Sequence, residues 1–116
     1  MKAIGFLALL IVVGAGVYLA YRFGGEQPYN PLKSSRRYMA LGLFEDAELS
    51  ILKALSLEPD RIDLKFRLFE IYYLSRDRKK FEKAGLEYSD QLRGTNEWRR
   101  IQELATDLCP KSETFG

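Results

Sequence analysis

Residues 38–59 read YMALGLFEDAELSILKALSLEP, and the spacing of small and large apolar residues in this stretch decides the fold. The small side chains of Ala47 and Ala54 let two helix backbones approach closely, and larger apolar residues fill the space between them. Gly42 provides a position at which the chain can turn between the helices. The stretch therefore predicts a hairpin of two antiparallel helices. One hairpin cannot bury its own apolar face, so we expect further helices to follow it.

The same stretch resembles most of a tetratricopeptide repeat, a helical hairpin of about 34 residues. The matching positions are Tyr38, Gly42, Phe44, Ala47, Ile51, Ala54 and Pro59. This resemblance implies a scaffold or adaptor that binds another protein, with the first helix of each hairpin lining the binding surface. By repeat position it gives five candidate partner-binding residues, Arg36, Met39, Phe66, Glu70 and Tyr73. The apolar side chains would supply contact area, and the charged ones would orient the partner.

Apolar periodicity predicts an all-α fold with five helices in a tetratricopeptide-like domain over residues 32–109. The expected helices lie at about residues 32–41, 45–57, 61–75, 78–92 and 97–108. Asp60 and Asp77 are expected to cap the third and fourth helices, and Thr95 or Asn96 to begin the fifth. The buried set expected in the second helix is Leu49, Ile51, Leu52 and Leu55. The polar tail at residues 110–116 is too short to fold alone.

The third predicted helix carries two apolar stripes. One consists of Leu64, Leu68, Ile71 and Tyr72, and the other of Phe66, Phe69 and Tyr73. Two stripes indicate either a helix packed between two neighbours or an aromatic stripe that is partly exposed as a ligand surface. Internal packing is favoured, because aromatic residues at helical spacing usually belong to the core.

Residues 3–21, AIGFLALLIVVGAGVYLAY, contain no charged residue, and a helix of this length spans roughly 28 Å, close to the roughly 30 Å of bilayer hydrocarbon. We interpret residues 1–23 as a transmembrane anchor and residues 24–31, GGEQPYNP, as a linker. The alternative is a cleaved secretory signal, whose apolar region is usually about 7–15 residues long. Gly16 and Ala20 form a small-xxx-small pair at which membrane helices can pack, although both residue types are common in such helices.

Basic residues are concentrated after this apolar run. Lys2 precedes it, whereas Arg22, Lys33, Arg36 and Arg37 follow it. This bias predicts a single-pass membrane protein whose helical domain faces the cytoplasm. The anchor would contact membrane lipid, and homo-oligomers remain an open alternative.

The composition argues against enzymatic chemistry. The chain has no histidine and a single cysteine, Cys109, so neither a Ser-His or Cys-His pair nor a cysteine metal cluster can form within it. No glycine-rich phosphate loop occurs in a strand-to-helix setting. A net charge of +2, from 18 basic and 16 acidic residues, gives no general attraction to nucleic acid. We expect a non-enzymatic protein without cofactor or metal.

The order of several short motifs resembles the cytoplasmic helical segment of the FimV/HubP family. The matching stretches are residues 30–32, 38–47, 58–72, 77–82 and 97–104. The resemblance implies a bacterial inner-membrane scaffold associated with type IV pili, secretion or polar organisation. The cell-wall-binding domain and the long acidic region of that family do not occur in this sequence, so only an anchor and one helical adaptor are implied. The alternative is an assembly factor of another membrane complex, such as a periplasm-facing one for cytochrome c maturation, bound mainly through its transmembrane helix.

Circular dichroism tests the predicted fold class. A chain that begins near Gln27 should give a helical spectrum, because every predicted element after that residue has helical periodicity. A substantial strand signal would contradict the all-α prediction.

Overall fold

The structure is a computed structural model that describes residues 29–116. In this range the chain forms five α-helices and no strand. The helices are α1 (Pro31–Ala40), α2 (Phe44–Leu57), α3 (Ile62–Leu74), α4 (Arg78–Leu92) and α5 (Asn96–Leu108). The all-α prediction is confirmed. The predicted anchor, with Gly16 and Ala20, lies outside the described residues, and within them no helix has the length and apolar character needed to span a membrane.

The turns between the helices follow from local residue chemistry. Gly42 adopts a φ of 75° between α1 and α2, a conformation that glycine tolerates without steric cost. Asp77 caps α4, since its side chain accepts a hydrogen bond from the backbone N–H of Lys80. Thr95 caps α5 in the same way, accepting from the N–H of Trp98. These two predicted helix starts are therefore confirmed.

The start of α3 differs from the prediction. Arg61, and not Asp60, occupies the N-cap position, and no side chain caps the helix there. The guanidinium of Arg61 instead pairs with Glu58 at 2.8 Å and with Asp63 at 2.7 Å. Asp63 also accepts a hydrogen bond from the N–H of Leu64. An acidic residue in the first turn thus takes the place of the expected cap.

Helix α3 is the centre of the domain, because it contacts all four other helices. Consecutive helices pack as antiparallel neighbours, and α3 also contacts α1 and α5 directly. Helices α2 and α4, by contrast, do not pack closely against each other, and in the described part of the chain the ion pair between Glu48 and Lys80 at 2.9 Å joins them. The odd-numbered helices therefore form a continuous layer, with the even-numbered helices packed behind it.

Both apolar stripes of α3 are packed inside the domain. Leu64, Leu68 and Ile71 of the first stripe are fully buried, as is Phe69 of the second. Phe66 is nearly buried and Tyr73 half-buried. The interpretation of α3 as a helix between two neighbours is confirmed.

Part of the expected buried set of α2 is exposed. Leu49 and Leu52 are 64% and 41% exposed, whereas Ala47, Ile51 and Ala54 face the core. Among residues 29–116, α2 packs closely against α1 and α3, so one side of the helix suffices to bury its apolar surface. The prediction that Leu49 and Leu52 are buried is wrong.

The tail at residues 110–116 packs against the helical domain through Phe115. The Phe115 ring stacks on Trp98 with ring centroids 5.6 Å apart and also contacts Phe81 at 5.1 Å. The side-chain amide of Gln102 donates a hydrogen bond to the Phe115 carbonyl at 2.9 Å. A Cβ atom at Gly85 would lie 2.5 Å from the ring, so α4 must carry a glycine where the ring sits. The tail is therefore part of the core, which the sequence did not indicate.

Phe115→Ala should destabilise the domain by about 3 kcal/mol, because the change removes a buried ring from a cluster of four aromatic side chains. Chemical denaturation followed by circular dichroism measures this loss. Leu86→Ala is the control, since Leu86 is 72% exposed on α4, and it should change stability by no more than about 0.5 kcal/mol. Equal stabilities of the two variants would show that the Phe115 contact contributes nothing.

Candidate functional site

The candidate site is the surface where α1, α3 and α5 lie side by side. Phe66, Glu70 and Tyr73 follow one another at helical spacing on α3 and share one face of it. We name this surface the odd-helix face. It is formed by Arg36, Met39, Phe66, Glu70, Tyr73, Arg100 and Asp107.

Arg67 joins α3 to α1 beside this face. Its Nη1 donates to the Leu32 carbonyl at 2.9 Å and to Ser35 Oγ at 3.0 Å. Its Nε donates to Glu70 Oε1 at 3.0 Å, which forms an ion pair within α3. The guanidinium is largely buried, so these bonds are screened less than those of a surface pair. The carboxylate of Glu70 is held in place as a result.

A second contact joins α3 to α5 through Phe66. The guanidinium of Arg100 lies over the Phe66 ring, with its central carbon 4.4 Å from the ring centroid. Phe66 is only 9% exposed, although the sequence analysis proposed it as an apolar contact for a partner. A partner would therefore meet Arg100 before it meets the ring.

A third contact, also between α3 and α5, is centred on Asp107. Tyr73 Oη donates to Asp107 Oδ2 at 2.6 Å, and Arg76 Nη1 donates to the same oxygen at 3.0 Å. These donors, Tyr73 first, hold the pKa of Asp107 below its ordinary value, and the same bond raises the pKa of the Tyr73 phenol. The Arg76 guanidinium also lies over the Tyr73 ring at 5.2 Å.

The three predicted α3 residues share one face of that helix, and the two α1 residues are assigned to the odd-helix face by their repeat position. Arg36 is exposed, and Met39 is half-buried against the core. Arg67, Arg100 and Asp107 were not predicted from the sequence. Two of these could have been found from the repeat period, since Arg100 lies 34 positions after Phe66 and Asp107 lies 34 positions after Tyr73.

Two clefts lie away from the odd-helix face. A cleft of about 440 Å³ between the α1–α2 and α3–α4 turns contains Glu48, which accepts from Tyr72 Oη at 2.6 Å and from Lys80 Nζ at 2.9 Å. Burial, followed by the bond to Glu48, raises the pKa of Tyr72. The Glu48 carboxylate is therefore a bridge between helices.

The second cleft, of about 610 Å³, is lined by Cys109 and the tail. Burial raises the pKa of the Cys109 thiol, so the protonated, unreactive form is favoured. In residues 29–116, no group of three or more His, Cys, Asp or Glu side chains could hold a metal ion.

Comparison with known proteins does not identify a family for this chain, so a function can be proposed only from its sequence and geometry. No protein-family model, no curated protein and no solved structure matches this chain. The resemblance to the FimV/HubP family therefore stays a prediction.

Tyr73→Phe should raise the pKa of Asp107 toward the ordinary value of 3.8, because the variant removes the stronger of its two donors. A pH titration of the Asp107 carboxyl carbon by NMR measures the change. Since the pKa is depressed in the folded state, the contact stabilises the fold above the ordinary pKa and is lost as pH falls through the folded value. Tyr88→Phe on α4 is the matched control and should leave Asp107 unchanged; a shift of equal size there would refute the assigned cause.

Proposed function

We propose that this chain is a non-enzymatic adaptor that binds a segment of another protein on the odd-helix face. The observation that carries the proposal is the layer in which α1 and α5 both pack against α3, while α2 and α4 do not pack closely against each other. In a stack of helical hairpins, one helix of each hairpin lines a shared binding surface. This arrangement leaves an extended surface across three helices.

The spacing of the helices supports a tetratricopeptide-like repeat. Phe44 and Arg78, which begin α2 and α4, are 34 positions apart, and so are Ile62 and Asn96, which begin α3 and α5. The period of that repeat is about 34 residues. Contacts across the face keep the same period, since the Tyr73 and Asp107 side chains that bond each other are 34 positions apart. Helices α3 and α5 therefore present equivalent positions at the same level.

The proposal includes a location. The uncharged run at residues 3–21 and the basic residues after it favour an anchor in a bacterial inner membrane, with the helical domain in the cytoplasm. Together with the FimV/HubP-like motifs, this layout suits a scaffold of an envelope machine such as a type IV pilus or a secretion system. A second candidate is recognition inside the membrane through Gly16 and Ala20, which is favoured by their small-xxx-small spacing.

Photo-crosslinking in native membranes tests the surface. A benzophenone amino acid placed at Met39 or Tyr73 should crosslink the partner, because both positions lie on the odd-helix face. The same probe at Leu49 or Leu86 is the control, since these exposed residues belong to α2 and α4. Crosslinks of equal yield from all four positions would contradict the proposed binding face.

Replacing residues 1–23 with an unrelated membrane helix separates the two candidates. The adaptor proposal expects the crosslinks from Met39 and Tyr73 to persist after the replacement. Their complete loss, with the domain still folded and inserted, would assign recognition to the anchor.

A further inference from the structure

Charge is divided unevenly along the chain. Residues 1–43 contain five basic residues and one acidic residue, whereas residues 44–116 contain 13 basic and 15 acidic residues. The net charge of +2 is therefore +4 before α2 begins and −2 from α2 onward. In the described part of the chain, the positive share belongs to α1, whose charged residues are Lys33, Arg36 and Arg37.

Helix α1 has two sides of opposite character. On one side Ser35 is fully buried and Met39 packs against the core. On the other, Lys33 and Arg37 are exposed and four positions apart, and Leu41, four positions further on, is 68% exposed. The backbone N–H of Leu41 still donates to the Arg37 carbonyl at 3.2 Å, so these three residues keep helical spacing and share one side. We name this side, formed by Lys33, Arg37 and Leu41, the outer side of α1.

The acidic residues near α1 face away from its outer side. Glu45 and Asp46, which follow the α1–α2 turn, line the cleft toward the α3–α4 turn. Glu70 pairs with Arg67, whose guanidinium bonds to Ser35 on the core side of α1. Helix α1 itself contains no acidic residue. A negatively charged surface that approaches the outer side therefore meets basic residues before it meets a carboxylate.

The outer side of α1 follows closely after the uncharged run at residues 3–21. Nine residues separate the end of this run from Pro31, where α1 begins. Since an extended chain covers about 3.3 Å per residue, these nine residues span at most about 30 Å. A run inserted in a bilayer would therefore tether α1 near the lipid headgroups at a high effective concentration. A basic residue near such a surface strengthens binding to anionic lipid about fivefold.

We propose that the outer side of α1 docks on an anionic lipid surface, with Lys33 and Arg37 at the headgroups and Leu41 at the boundary with the acyl chains. A leucine beside basic residues suits this interface. The tether favours lipid over an acidic protein or a nucleic acid, neither of which is held near α1 in this way. The proposal rests on the anchor included in the proposed function, and it adds a lipid contact made by the helical domain itself.

The division of charge also orients the docked domain. The net charge of −2 from α2 onward is repelled by the lipid surface that attracts α1. Both effects turn the outer side of α1 toward the membrane and the remaining helices away from it. The docked domain therefore has one preferred orientation.

Quenching of tryptophan fluorescence by brominated lipid tests this contact. The full chain with Leu41→Trp is reconstituted in vesicles of dibrominated phosphatidylcholine, either alone or in an equal mixture with phosphatidylserine. The native Trp98 is only 4% exposed and gives a constant background. The new tryptophan should be quenched in the mixed vesicles, and added salt should reverse the quenching. Leu86→Trp is the positional control, since Leu86 is 72% exposed on α4, and its emission should be the same in both vesicles.

Neutralising the outer side should release it from the lipid. The variant K33Q/R37Q, made in the Leu41→Trp chain, is compared with that chain at the salt concentration that gives half-maximal quenching. The ratio of quenched to unquenched tryptophan should fall about twentyfold, the product of two roughly fivefold effects. The matched control K79Q/K83Q removes two exposed lysines that are also four positions apart, on α4, and should stay within about twofold. If circular dichroism shows that K33Q/R37Q loses helix, R37Q alone replaces it, with an expected fall of about fivefold.

Several outcomes would overturn the proposal. They are equal quenching of Leu41→Trp in the two vesicles, equal quenching of Leu41→Trp and Leu86→Trp, or equal loss in the two double variants. Fluorescent polyglutamate or poly(dT) that binds through Lys33 and Arg37, without phosphatidylserine-dependent quenching, would assign the outer side to an acidic protein or a nucleic acid instead. Alkaline carbonate extraction of the vesicles separates the two proposals. A chain that is released shows that the anchor fails, and the docking with it. A retained chain without phosphatidylserine-dependent quenching shows that the anchor stands and the docking does not.

Discussion

The packing of α3 against all four other helices is the contact on which the rest of this domain depends. Leu64, Leu68 and Phe69 are fully buried around its circumference, and each large side chain removed from water contributes about 1.5–3 kcal/mol. A helix that is apolar on most sides cannot be left at a surface. It therefore requires neighbours on both sides. The neighbours are α1, α2, α4 and α5, which short turns of the chain hold close to α3.

The central position of α3 gives the domain two sides of different character. Behind α3, Glu48 of α2 accepts hydrogen bonds from Tyr72 of α3 and Lys80 of α4. Its carboxylate therefore links three helices. The amine of Lys65 likewise binds Gln91 and lies over the Tyr88 ring. On the odd-helix face, the bonds within the chain use one carboxylate oxygen of Glu70 and one of Asp107. The odd-helix face is proposed to bind a partner because α1 and α5 both pack against α3 there and form one layer.

Local sequence patterns predicted the helices well, because apolar periodicity and caps such as Asp77 act over a few residues. They did not predict which side of each helix is covered. Leu49 has the same spacing signal as its buried neighbours, but it is exposed because no further helix of residues 29–116 packs on that side of α2. Arg100 and Asp107 were missed because their partners lie on another helix. Phe115 was missed because a single aromatic residue in a polar tail has no periodicity.

The buried tail bears on the odd-helix face through α5. Phe115 contacts Trp98 of α5, Phe69 of α3 and Phe81 of α4, so one side chain fixes the last helix against two others. Trp98 precedes Arg100 by half a helical turn, with the indole in the core and the guanidinium on the face. The stacking of Arg100 on Phe66 requires α5 to hold its place relative to α3. Order at the odd-helix face thus depends on a ring buried on another side of α5, because a rigid helix transmits the position of one side to the other.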